Sequence, residues 1–103
     1  MKHNKLVRDR IPEIIRANGN VPITHIADDQ EYQLRLREKL IEEATEFFAD
    51  PTLEELADVQ EVVFALCKYL GCDRSELERA RREKAEQRGR FQDRIILEET
   101  RER

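Results

Sequence analysis

Between Lys39 and Lys68 the sequence runs for 28 residues without a lysine or an arginine. The same interval holds Glu42, Glu43, Glu46, Asp50, Glu54, Glu55, Asp58 and Glu61, a local charge of −8 in a chain whose net charge is −4. Surface helices normally mix the two signs, because opposite charges one turn apart stabilise each other. Carboxylates this dense need an explanation beyond solubility. Outside the block the balance is +4, so the bases of the chain lie on its flanks.

Apolar periodicity places the block on two helices. Asp28 and Glu31 form a capping-box pattern ahead of a helix reaching about Phe48, with Leu36, Leu40, Ala44 and Phe47 at helical spacing and Ile41 and Phe48 widening the stripe. Asp50-Pro51 ends it. Thr52 and Glu55 repeat the capping pattern and open a helix to Leu70, on which Leu56, Val59, Val63, Leu66 and Leu70 face one way. Ala57, Val62 and Phe64 broaden that face, so this helix is expected to be covered on two sides. Pro12 opens a short helix that Gly19 closes, and Asp73 with Glu76 begins a last helix ending near Arg88-Gly89, thinly apolar at Leu77, Ala80 and Ala85. Residues 21–27 and 94–97 are rich in β-branched side chains, and a lone strand is not stable, so they are expected to pair as an antiparallel ribbon. His25 would then be a strand surface residue, and Phe91, after Gly89, would fold back over the site or onto the helix. The expected fold class is all-α: one domain over residues 1–103, a small helical bundle with a minor two-stranded β ribbon. Dimerisation completes it, because the helix to Leu70 carries more apolar surface than its neighbours can cover.

Composition removes several function classes. The longest apolar run, residues 62–67, is six residues long, against the roughly 20 that a membrane span requires. The N-terminus reads Met-Lys-His-Asn-Lys with no apolar signal segment, which points to a cytoplasmic protein with no membrane partner. Cys67 and Cys72 suit neither a disulfide framework nor a zinc knuckle, and His3 and His25 suggest no ligand set. Nucleic acid is not the expected partner either. The sequence pI is 5.3, the basic last helix is interrupted by Glu76, Glu78, Glu83 and Glu86, and four Phe and two Tyr offer little stacking surface.

On the two acidic helices, Glu43 and Glu46 lie about 60° apart, as do Glu55 and Asp58. A short connection makes such helices antiparallel neighbours, so the four carboxylates can converge across the seam. A divalent cation would remove their mutual repulsion, and an all-oxygen donor set selects Mg2+, or Mn2+, over zinc. Cations for phosphate are at hand in Lys5, Arg8 and Arg10 ahead of the first helix, and in Lys84 and Arg88, one turn apart before Gly89.

The motifs Glu42-Glu43-Ala44-Thr45-Glu46 and Glu55-Leu56-Ala57-Asp58 resemble the EExxE…ExxD signature of the all-α nucleoside triphosphate pyrophosphohydrolases, the superfamily of the MazG-type house-cleaning enzymes, dimeric dUTPases and phosphoribosyl-ATP pyrophosphohydrolase. The spacer, Phe47 to Glu54, is shorter than in the MazG pattern. Lys5-Leu6-Val7-Arg8-Asp9-Arg10-Ile11-Pro12 resembles the opening of the phosphoribosyl-ATP pyrophosphohydrolase-like branch, and Lys84-Ala85-Glu86-Gln87-Arg88-Gly89-Arg90-Phe91 its basic turn. The resemblance implies a MazG-like bundle in which Glu43, Glu46, Glu55 and Asp58 are the metal ligands. Glu42, Glu43 and Glu46 form the catalytic carboxylate run, Glu42 being the acid that orients ligands or water. It implies a Mg2+-dependent homodimer or higher homo-oligomer that hydrolyses an aberrant nucleoside triphosphate to monophosphate and pyrophosphate. Two alternatives stand beside it: phosphoribosyl-ATP as the substrate, in histidine biosynthesis, or a non-catalytic helical association module with a degenerate acidic face.

Overall fold

Three aspartate or threonine side chains set where the long helices begin. In the computed structural model, which describes residues 4–102, Asp28, Thr52 and Asp73 each accept a hydrogen bond from the backbone N–H three residues on, at Glu31, Glu55 and Glu76. These caps satisfy donors that the first helical turn leaves without an intrahelical partner. The helices that follow are α2 (Asp29–Ala49), α3 (Leu53–Tyr69) and α4 (Arg74–Arg88); a short α1 (Ile11–Ala17) with Pro12 in its first turn precedes them. Gly19, Gly71 and Gly89 follow the ends of α1, α3 and α4 with φ of 85°, 82° and 84°, the left-handed conformation that a residue without Cβ adopts at low cost. The described residues are thus all-α, and none of their helices is long and apolar enough to cross a membrane.

The expected ribbon does not form. Neither residues 21–27 nor residues 94–97 contain a strand, and Ile23 and Ile26 are 97% and 96% exposed. β-propensity reflects fit to a half-buried pleated surface rather than an intrinsic backbone preference. No such surface receives these side chains, and Pro22 removes one of the N–H groups a ladder would use. His25 is accordingly not on a strand; its Nε2 lies 2.8 Å from Glu31 Oε1 beside the start of α2. His3 lies outside the described residues.

The fold comprises two compact units, Met1–Gly71 and Cys72–Arg103. In the first, α2 and α3 form an antiparallel hairpin. At its open end Tyr69 Oη donates to Asp29 Oδ2 at 3.4 Å, and the rings of Tyr32 and Tyr69 meet edge to face with centroids 5.9 Å apart. The core is small: among the described residues, Leu36 of α2 and Val62 and Cys67 of α3 are the buried apolar ones. The second unit is α4 and the segment after it, and α4 buries none of its residues, as its thin stripe foretells. Phe91 is 99% exposed rather than folded back. The second cover expected for α3 is likewise not seen. Leu53, Leu56 and Leu70 stand exposed, and Leu53, Leu56, Ala57, Val59 and Val63 line an open groove.

Leu36, only 1% exposed, is the centre of the hairpin core. Leu36→Ala should lower unfolding free energy by about 2–4 kcal/mol, read from urea denaturation, because the cavity adds to the lost transfer energy.

Candidate metal centre

The inner face of α2 is not quite the one that apolar residues alone suggest. At 100° per residue Glu43 lies about 20° from Leu36 around the helix, whereas Ala44 lies about 80° away. The row that faces α3 therefore runs through Glu43, which is 7% exposed, while Ala44 is exposed. A carboxylate thus occupies a core position near the closed end of the hairpin.

From α3, Glu55 and Asp58 meet it. One carboxylate oxygen from each of Glu43, Glu55 and Asp58 lies within 4.8 Å of the others, and the same holds for Glu42, Glu43 and Glu46 on α2. The structure therefore gathers all five sequence-predicted acids into two overlapping trios that share Glu43. Glu55 reaches its trio because its capping box is only half made. Its backbone N–H donates to Thr52 Oγ1 at 3.2 Å, but the N–H of Thr52, which the Glu55 side chain would otherwise accept, donates to the Asp50 carbonyl at 2.9 Å. The Asp50-Pro51 turn thereby releases the Glu55 carboxylate to the seam. Glu43 Oε2 and Glu55 Oε2 are buried without a hydrogen-bond partner among the described residues. Buried carboxylate oxygens of that kind are rare in folded proteins and costly unless a donor or a cation completes them.

Bases absent from the block itself reach it from its edge and from the N-terminal segment. Lys5 Nζ donates to Glu42 Oε1 at 3.1 Å, and Lys39 Nζ lies 3.3 Å from both Glu42 Oε2 and Glu43 Oε1. Arg8 Nη2 donates to Asp58 Oδ1 at 2.6 Å, with Nη1 3.9 Å from Glu61 Oε1. Of the sequence-predicted phosphate ligands, then, Lys5 and Arg8 sit against the carboxylates. Arg10 does not: its Nε donates to Glu13 in the first turn of α1 at 2.9 Å. Lys84 and Arg88 are exposed on α4, in the second unit. Two residues escaped the sequence reading. Lys39 was legible from its spacing of three and four to Glu42 and Glu43. Glu61 lies one turn beyond Asp58 and forms the other wall against Arg8.

These contacts split the two neighbouring glutamates. Burial pushes the Glu43 carboxyl above its usual range, Glu46 and Asp58 add to the rise, and Lys39 only partly opposes it. Burial also pushes Glu42 upward, but Lys5 and Lys39 together outweigh it and hold Glu42 below the ordinary carboxylate value. Adjacent acids at one site thus differ in their readiness to take a proton. Three oxygen donors with two orphaned buried oxygens fit a hard divalent cation such as Mg2+ or Mn2+ and do not resemble a nitrogen- and sulfur-rich zinc site.

Comparison with known proteins adds a relative of undescribed function. A stretch of 48 residues, 47% of the chain, is 50% identical to a protein of Mycolicibacterium smegmatis described as uncharacterised, and it covers 49% of that protein. The chain thus spans about half the length of the curated relative it matches. No protein-family model matches the chain, and no solved structure matches it.

The sign of the Glu43 shift fixes a pH dependence. A carboxyl raised in the folded state binds more protons there than when unfolded, so its charge weakens the fold progressively as pH rises from about 4.5, the ordinary value, through the raised one. In metal-free buffer at pH 7, Glu43→Gln should be at least as stable as the parent protein, and this advantage should vanish as pH falls to about 4.5. Thermal melts across that range with a chelator present test both halves.

Proposed function

We propose that this chain is a divalent-cation-dependent nucleotide pyrophosphohydrolase, converting an aberrant nucleoside triphosphate to monophosphate and pyrophosphate. The supporting observation is the convergence of Glu43, Glu55 and Asp58 across the α2–α3 seam, with two of their oxygens buried and unpartnered. Glu43, Glu55 and Asp58 would hold Mg2+, with Glu46 at the rim. When bound, the ion supplies charge neutralisation at phosphate oxygens and makes water a better nucleophile. The remaining work falls to side chains. Lys5 and Arg8 stand where phosphate oxygens would meet positive charge, Arg8 with the planar fork that suits them. Glu46 is exposed next to Glu43 and can position the attacking water by accepting its hydrogen bond. Glu42, its charge already held by two lysines, fixes Lys5 and Lys39 instead. The assignment of Lys84 and Arg88 to the outer phosphates rests on the sequence pattern.

The open groove on α3 supports a second element of the proposal, a homodimer in which this face meets another copy. Contiguous apolar surface beside a polar site is where an interface is expected. Sedimentation at micromolar concentration should give a species of at least twice 12.3 kDa; a clean monomer would remove the dimer from the proposal.

Glu55 offers the cleanest test of chemistry, because its charge makes no ion pair that the fold needs. Glu55→Gln should leave the melting temperature unchanged or higher while cutting Mg2+-dependent pyrophosphate release by roughly a hundredfold or more, since losing even an outer-shell partner of a metal ligand costs about 10–100-fold. A panel of ordinary and modified nucleoside triphosphates, with phosphoribosyl-ATP included, identifies the substrate. Activity retained in Glu55→Gln would mean that the carboxylates serve another purpose.

A further inference from the structure

Asp58 is subject to two demands at once. One of its carboxylate oxygens belongs to the trio with Glu43 and Glu55, and its Oδ1 accepts the 2.6 Å hydrogen bond from Arg8 Nη2. Arg8 and Lys39 hold the cluster in different ways. Lys39 lies on α2 itself, mostly buried between Glu42 and Glu43, and has nowhere to go. Arg8 lies ahead of α1, its carbonyl accepting the Ile11 N–H at 3.1 Å and its segment anchored by half-buried Leu6 and Val7, with its guanidinium about half exposed. Its head can therefore swing while its backbone stays put.

We propose that Arg8 is an exchangeable counter-ion. In the cation-free protein its guanidinium neutralises Asp58 and Glu61; a divalent cation entering the trio displaces it, and the freed fork then engages the anionic oxygens of a phosphate-bearing ligand. This rests on the metal centre proposed above and adds to it an order of events and a coupling. A doubly charged ion competes for Asp58 more strongly than a monovalent, partly hydrated guanidinium, whose exposed ion pair is worth little. Cation and phosphate ligand then bind cooperatively, since each is favoured by the position of Arg8 that the other leaves. The guanidinium also prevents Asp58 from standing uncompensated beside Glu43 when no cation is bound.

Two titrations with opposite expected signs test it. The first follows Mn2+ binding to the free protein by the loss of its solution paramagnetic resonance signal, for the parent protein, Arg8→Gln and Arg8→Lys. Arg8→Gln should bind Mn2+ about threefold more tightly, the factor that an exposed ion pair contributes, while Arg8→Lys stays near the parent value. The second adds pyrophosphate at saturating Mn2+, and here Arg8→Gln should bind more weakly than the parent. A residue that merely pins the N-terminal segment would not move the two affinities in opposite directions. If Arg8→Gln leaves Mn2+ affinity unchanged or weakens it, Arg8 orients Asp58 instead of competing for it, and the exchange is refuted while the metal centre stands. If the parent protein binds no Mn2+, the metal centre fails and the exchange with it. Should Arg8→Gln not fold, tryptic cleavage after Arg8 in the parent decides. The rate should rise when Mg2+ releases the side chain, and an unchanged rate refutes the proposal.

Discussion

Burial of one carboxylate, that of Glu43, constrains the first unit more than any apolar contact does. The α2–α3 hairpin has few wholly buried apolar side chains to hold it, yet it places an acid on the same helical row as Leu36. An ionised group there costs several kcal/mol unless something answers its charge. Lys39 answers part of it from the preceding turn, and the raised carboxyl shows that the answer is incomplete. Everything near the closed end of the hairpin can be understood as a response to that deficit.

The Asp50-Pro51 turn fixes the arrangement. A connection this short brings the end of α2 against the start of α3, so the acids nearest the turn on both helices face each other. The Asp50 carbonyl takes the N–H of Thr52, and Glu55, deprived of its usual backbone partner, contributes its carboxylate to the seam. At about 5 Å separation and an effective dielectric near 20, each pair of like charges costs roughly 3 kcal/mol. Stability alone would not keep three such groups together. Bases drawn from the N-terminal segment relieve the rim at Glu42 and Asp58, whereas Glu43 Oε2 and Glu55 Oε2 are left buried without a hydrogen-bond partner among the described residues. That residue of unmet charge is what a hard cation would satisfy.

The hairpin is open on its other side. The α3 face at Leu53, Leu56 and Val59 lines an uncovered groove, and the exposed isoleucines at 23 and 26 find no pleated partner. A unit of this size with so small a core gains most from further burial, which is the energetic argument behind the proposed dimer.

Helix positions were determined by local chemistry and so were legible in the sequence. Asp28, Thr52 and Asp73 cap from their own side chains, the glycines after α1, α3 and α4 adopt φ values that other residues resist, and Asp50-Pro51 cannot continue a helix. The acid spacing in Glu42–Glu46 and Glu55–Asp58 was legible for the same reason, since three- and four-residue intervals on a helix are fixed by its pitch. Tertiary structure decided the rest. Which side of α2 faces inward turned on a rotation of about 80° between Ala44 and the Leu36 row, a choice settled by packing against α3. The ribbon failed because a strand requires a partner surface that no local signal guarantees. Two of the bases that answer the acidic block lie 37 and 50 residues away in the chain; only folding brings Lys5 to Glu42 and Arg8 to Asp58, because electrostatic partners are chosen by distance in space and not by order in sequence.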